Sequence, residues 1–225
     1  MILMKMKTSH VFLTLAACST LMLFSCKKEK DTNGITYQLR SSSPSGPISG
    51  SMLGGTVQWT GGYASVVEIE FEAESNNIEV EYKSEVKQKI NLFSPLSTLG
   101  VITVPPGVYE DIEYEVEVQS NGPEAALQLN GSYTNSNGLT TPVVFKVSTA
   151  LEIESEQANV TIVDGVDLTA HTTFNLFVLT TGVTETMLNN ATRTAGVIEI
   201  SATSNTDMYN IIFDNLKKCG GVEVD

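Results

Sequence analysis

Hydrophobic and polar positions alternate along most of the chain. The clearest stretch is residues 67–74, where Val67, Ile69, Phe71 and Ala73 interleave with Glu68, Glu70, Glu72 and Glu74. Side chains on a strand point alternately to its two faces, so this period of two predicts a half-buried strand with an acidic outer face. Ser75-Asn76-Asn77 is a turn cluster, and Ile78-Glu79-Val80-Glu81-Tyr82 repeats the pattern, which predicts a hairpin. The alternation returns over residues 112–118 and stops at Asn121-Gly122-Pro123. Shorter apolar runs follow at residues 125–129, closed by Asn130-Gly131, then at 142–147, 151–153, 159–163, 174–178 and 196–201. Strands at such short, regular spacing predict an antiparallel β-sandwich of the Ig-like or Greek-key kind.

Two segments follow helical spacing. Thr184 is placed to cap a short helix over residues 185–191, and Asn205 or Thr206 to cap a longer one carrying Met208, Ile211, Ile212 and Leu216. Lys217 and Lys218 fall in the last turn and Gly220 stops the second helix. Both are expected to pack on the sheets. A single domain over residues 35–225 is favoured, with a division near 148–158 as the alternative.

The first residues read as an address. Lys5 and Lys7 precede an apolar run at 11–24, too short for a spanning helix, which needs about 20 residues. The run ends in Leu23-Phe24-Ser25-Cys26, which resembles a bacterial lipobox, and Lys27-Lys28-Glu29-Lys30-Asp31 follows. The resemblance implies a signal peptide over residues 1–25, diacylglycerol on the Cys26 thiol, and a tether over 26–34. Leu15-Ala16-Ala17-Cys18 fits the general lipobox better residue by residue. Cleavage there, however, would leave Leu21-Met22-Leu23-Phe24 on the mature protein, so Cys26 is preferred. More than one acyl chain gives stable anchoring, and the expected partner is therefore a membrane, reached through the N-terminal lipid.

The full chain of 225 residues carries 13 basic and 26 acidic side chains, a net charge of −13. Removal of residues 1–25 takes Lys5 and Lys7 and no acid, leaving a net charge of −15. That balance argues against nucleic acid as a partner. Cys219 would be the one cysteine left beside Cys26, so no intramolecular disulfide is expected and a hydrophobic core must supply stability. Lys217 and Lys218 could lower the Cys219 thiol pKa, but a small buried residue near a helix end is the expected role.

Leu99-Gly100 followed by Val104-Pro105-Pro106-Gly107-Val108-Tyr109 and Ile112 forms a Pro-x-Gly-x-Tyr turn leading into a strand. This pattern, over roughly residues 57–150, resembles β-sandwich domains of unknown function in Bacteroidota lipoproteins and, at a distance, fimbrillin-like modules. The resemblance implies an outer-membrane lipoprotein, on the periplasmic face or the cell surface, and brings no catalytic residue.

Little else points to chemistry. His171 is the one histidine after the leader, and no G-x-S-x-G motif or zinc spacing accompanies it. Asp164-Gly165-Val166-Asp167 has too few ligands for a calcium loop. Glutamates on alternating positions read as a solvated face rather than a glycosidase pair. Trp59 and Tyr63 are the candidate ligand-stacking residues for a glycan, although a core role for Trp59 is favoured because Val57 shares its face. The expectation is a non-catalytic binding or structural module without cofactor or metal. A surface carbohydrate-binding lipoprotein and an adhesin or pilus-type subunit are the alternatives, with a glycan or protein as ligand.

Overall fold

The computed structural model describes residues 33–41, 45–47, 55–75, 78–94, 97–120 and 122–224. The acidic alternating segment extends into β3 (Thr56–Ser75), a 20-residue strand that organises the molecule. One edge of its second half pairs with β4 (Ile78–Asn91). Its other edge changes partner midway. Residues 56–64 pair with β7 (Leu127–Thr134), and residues from Val66 onward pair with β6 (Gly107–Val118). Ser65 sits at the changeover, donating its N–H to Ala126 O at 2.8 Å and accepting from Gln119 N at 3.0 Å.

From β6 the sheet continues to β9 (Leu151–Ile162); from β7 it continues to β8 (Thr140–Val147), β12 (Val197–Ile200) and β11 (Arg193–Thr194). The short β2 (Ser45–Pro47) pairs with the start of β3. A second sheet has the order β13 (Gly220–Val224), β10 (Leu168–Phe174), β1 (Asn33–Ser41), β5 (Thr98–Val104). Pairing is antiparallel except between β1 and β10 and between β8 and β12.

The second sheet lies over the β4–β3–β6–β9 half of the first. Tyr37 of β1 stacks on Tyr114 of β6, with ring centroids 4.9 Å apart and planes at 6°, and Phe71 of β3 meets Tyr114 edge-on at 5.0 Å. A Cβ on Gly220 of β13 would stand 3.0 Å from Ile153 Cγ2 and 3.1 Å from Glu154 O of β9, so the two sheets approach closely there. Over the other half lie α1 (Glu185–Asn189) and α2 (Thr206–Leu216). Tyr209 of α2 packs on Phe145 of β8 at 5.8 Å, and Tyr133 of β7 donates to Asn189 Oδ1 at 2.8 Å. One contiguous buried cluster runs through both halves. The molecule is thus mainly β, with two sheets packed as a sandwich and two short helices near the C-terminus.

Several expectations are realised. The Pro105-Pro106-Gly107 turn joins β5 to β6, Tyr109 and Ile112 point into the core, and the Tyr109 hydroxyl donates to Pro105 O at 2.8 Å. Thr184 caps α1 by accepting from Met187 N at 3.2 Å.

Other expectations are corrected. Residues 174–178 do not form a strand; β10 ends at Phe174 and the chain turns, with Phe177 exposed. Asn130-Gly131 closes nothing, because Gly131 lies inside β7 opposite Trp59. A Cβ there would stand 2.3 Å from Gln58 O, so the glycine serves close approach rather than a turn. Gly61 and Gly62 likewise lie within β3, beside a bulge. Residues 151–153 and 159–162 are not two strands but parts of one, β9, with Asn159 at φ +59°. Asn205 precedes α2 but its side chain does not cap the helix. It accepts from Thr192 N and donates to Thr192 O and Glu199 O. Gly220 begins β13 rather than only ending a helix.

Candidate functional site

The outer face of the β4–β3–β6–β9 sheet is the most unusual surface of the molecule. Its inner face carries Ile69, Phe71, Ala73, Ile112, Tyr114, Val116, Leu151 and Ile153, all buried. Because strand side chains alternate, the residues between them must face out. The registers then align acids with acids. One row across the four strands reads Glu81, Glu72, Glu113, Glu156. Beside it lie Lys83, Glu70, Glu115, Glu154, and next to those Glu85, Glu68, Glu117, Glu152. On the other side of the first row are Glu79, Glu74, Asp111 and Ala158. Fourteen of these sixteen outward positions carry a carboxylate.

Directly opposed like charges are destabilising, and two lysines relieve part of the repulsion. Lys83 bridges Glu68, at 2.6 Å, and Glu70, and Lys87 meets Glu85 at 2.5 Å. Burial, and then the neighbouring Glu154, Glu72, Asp111 and Glu156, hold the Glu113 carboxyl above its ordinary pKa. Burial, and then Glu152, Glu70, Glu154 and Glu113, do the same to Glu115. Glu85 moves the other way under Lys87. At the centre is a hollow of about 60 Å³ over Phe71, walled by Glu70, Glu72, Glu81, Glu113 and Glu115. The carboxylates otherwise stand on an open face.

The single residues singled out earlier are dispersed. Cys26 lies outside the described residues. Trp59 is fully buried on β3, facing the core with Val57, so the Trp59–Tyr63 pair forms no exposed stacking platform. The bulge between Trp59 and Gly61 changes the parity of β3, and Tyr63 lies half-buried under Lys89, whose Nζ is 3.8 Å from the ring centroid. His171 sits in the middle of β10, in register with Gln38 on one side. Cys219 is buried with its thiol pKa pushed up to about 12 by desolvation, which removes the reactive-thiolate reading. Asp167 ties the β9–β10 turn to β1 by accepting from Gly34 N at 3.2 Å. Among the described residues no three His, Cys, Asp or Glu side chains converge in a metal-binding arrangement.

Two further cavities are present. One of about 420 Å³ lies between β9 and α2, lined by Leu151, Glu152, Glu154, Phe213 and Lys217. The other, about 280 Å³, lies between the two helices around Asn190, Thr192 and Asp207. Neither brings together a nucleophile with a base.

Among the described residues no strand pairs with the second edge of β4, which bears on strand addition because that needs an open edge. This edge carries Lys83, Lys87 and Lys89, and the backbone at Lys87 turns to φ +49°. Charged lysines and a local kink are the devices that protect an edge from pairing.

Sequence reasoning found the acidic faces of β3, β4 and β6 but not their alignment, which depends on registers that join residues 33 to 55 positions apart in sequence. Compared with protein-family models, curated proteins and solved structures, the chain gives no significant match.

Proposed function

We propose that the chain is a lipid-anchored cell-envelope protein, a non-catalytic binding or structural β-sandwich held on the outer membrane through Cys26. One observation carries the reading. The first strand among the described residues, β1, begins at Asn33, so six residues separate it from the cysteine that ends the lipobox-like Leu23-Phe24-Ser25-Cys26. A leader, a thiol for acylation, a short charged tether and then a strand at the centre of a sheet is the order that a lipoprotein requires. The likeness to Bacteroidota envelope modules is carried by the Pro105-Pro106-Gly107-Val108-Tyr109 sequence itself. A carbohydrate-binding reading loses its sequence support with Trp59 in the core. The lysine-guarded β4 edge does not favour the pilus-type reading.

The test is palmitate labelling and fractionation of cells expressing the full chain, Cys26→Ala and Cys18→Ala. The reading expects Cys26→Ala to lose label and leave the membrane fraction, while Cys18→Ala keeps both. Label and membrane association retained by Cys26→Ala would overturn it.

A further inference from the structure

Six large apolar side chains stand well exposed among the described residues, and four of them gather at one end of the sandwich. Val101, 59% exposed, lies on β5 opposite Thr36, with Cγ1 3.2 Å from where a Cβ on Gly34 would be. Val108, 65% exposed, follows Gly107, which pairs with Ile162 at the end of β9. Val163 and Val166, 54% and 44% exposed, bracket the β9–β10 turn, in which Val166 N donates to Val163 O at 3.2 Å. Asp167 then ties that turn to Gly34. This is the end at which β1 starts. The other two exposed residues lie elsewhere. Phe177 is past the opposite end of β10, and Leu139 is in the turn beyond Thr134, which pairs with Thr56 at the far end of β3.

We propose that this valine-bearing end rests against the headgroup region of the lipid bilayer. The inference depends on the anchor reading above. Seven residue steps from Cys26 to Asn33 reach at most about 25 Å, so a lipid on Cys26 holds this end within that distance of the bilayer surface. Scattered single apolar residues need no explanation, whereas a cluster marks a contact surface. The end is also built to keep its shape, because the Tyr109 hydroxyl pins Pro105 and the Asp167 carboxylate pins Gly34. Glu110 and Asp164 are exposed beside the valines, so the valine-bearing surface itself offers no attraction to anionic lipid. The contact is therefore apolar, with zwitterionic headgroups as its partner. It leaves the acidic sheet face standing along the side of the molecule, with the Asp111 row nearest the membrane and the Glu117 row farthest from it.

The experiment uses the full, lipidated chain reconstituted in phosphatidylcholine–phosphatidylethanolamine vesicles that carry a quencher at headgroup depth. A polarity-sensitive fluorophore is placed on Val163→Cys or Val166→Cys, with Leu139→Cys and Phe177→Cys as references; the native Cys219 is buried. Quenching at positions 163 and 166 is expected to exceed that at 139 and 177 at least two-fold, with blue-shifted emission. Adding Val108→Asp to the Val166→Cys protein should bring quenching down toward the reference level. Equal quenching at all four sites on protein that floats with the vesicles would overturn this inference and leave the anchor intact. Protein that stays in the aqueous fraction with an unmodified Cys26 would overturn both.

Discussion

Glu113 occupies the most crowded position of the acidic face, and neutralising it should stabilise the fold. It stands directly opposite Glu72 on β3 and Glu156 on β9, with Asp111 and Glu115 two residues away on its own strand. Directly opposed side chains of a sheet have Cβ atoms about 5 Å apart. Two unit charges at that separation repel by about 0.8 kcal/mol in water, and roughly half of this survives at physiological salt. Glu113→Gln removes two such pairs and should add about 0.5–1 kcal/mol, and Glu113→Lys, which turns repulsion into attraction, about 1–2 kcal/mol. For a domain of this size each kcal/mol raises Tm by roughly 2–4 °C. Differential scanning calorimetry at pH 7 should show these gains in 10 mM salt and their loss in 1 M salt. The pH dependence has a defined sign. The Glu113 and Glu115 carboxyls are raised in the folded state, so the native protein binds protons before the unfolded chain does. Their repulsive contribution is present at neutral pH and fades as pH falls through the carboxylate range, so the wild type gains stability there and Glu113→Gln gains less. A Glu113→Gln protein that is less stable than wild type, or equally stabilised at 1 M salt, would refute the reasoning.

Further outcomes follow from the core. Tyr37 and Tyr114 stack on one another, but the Tyr37 hydroxyl bonds to Thr172 whereas the Tyr114 hydroxyl is buried without a hydrogen-bond partner among the described residues. Chemical denaturation should therefore show Tyr37→Phe costing about 1–3 kcal/mol and Tyr114→Phe costing nothing or stabilising. Gly131→Ala should lower stability by roughly 2–4 kcal/mol, because its methyl group meets backbone 2.3 Å away; a neutral result in a melting experiment would contradict the close approach of β3 and β7. The Cys219 thiol stays protonated in the fold to about pH 12, whereas in the unfolded chain it ionises near pH 8.5. Stability should decline as pH rises above about 9, and iodoacetamide should modify Cys219 only at the rate of unfolding, with rapid native-state alkylation as the opposing result.

The alternation of residues 67–74 and 112–118 was enough to reveal strands and their buried faces, and the Pro-Pro-Gly turn was legible because proline and glycine constrain the backbone directly. What escaped were features set by distant parts of the chain. The bulges at Trp59/Gly61 and Val66/Glu68 shift the parity of β3, so one strand presents its core residues in three phases. Phe174-Asn175-Leu176-Phe177-Val178 has the composition of a strand but turns after Phe174, where the backbone bonds to Cys219 O. β1 carries a readable Ile35-Tyr37-Leu39 alternation, and its parallel pairing with β10 joins residues more than 130 positions apart. β13 opens on two glycines and has almost no pattern of its own. The acidic face shows the same division. The glutamates of β3, β4 and β6 were visible along each strand, those of β9 were not, and the alignment of four strands into one field depended on registers that only the folded sheet defines.

The central claim, that this fold hangs from an acylated Cys26, is tested most directly by mass spectrometry of the N-terminal peptide from protein isolated from membranes. The account predicts a chain starting at Cys26 and carrying diacylglycerol on its thiol. A chain that retains residues 1–25, or one that begins at an unmodified Cys26, would contradict it.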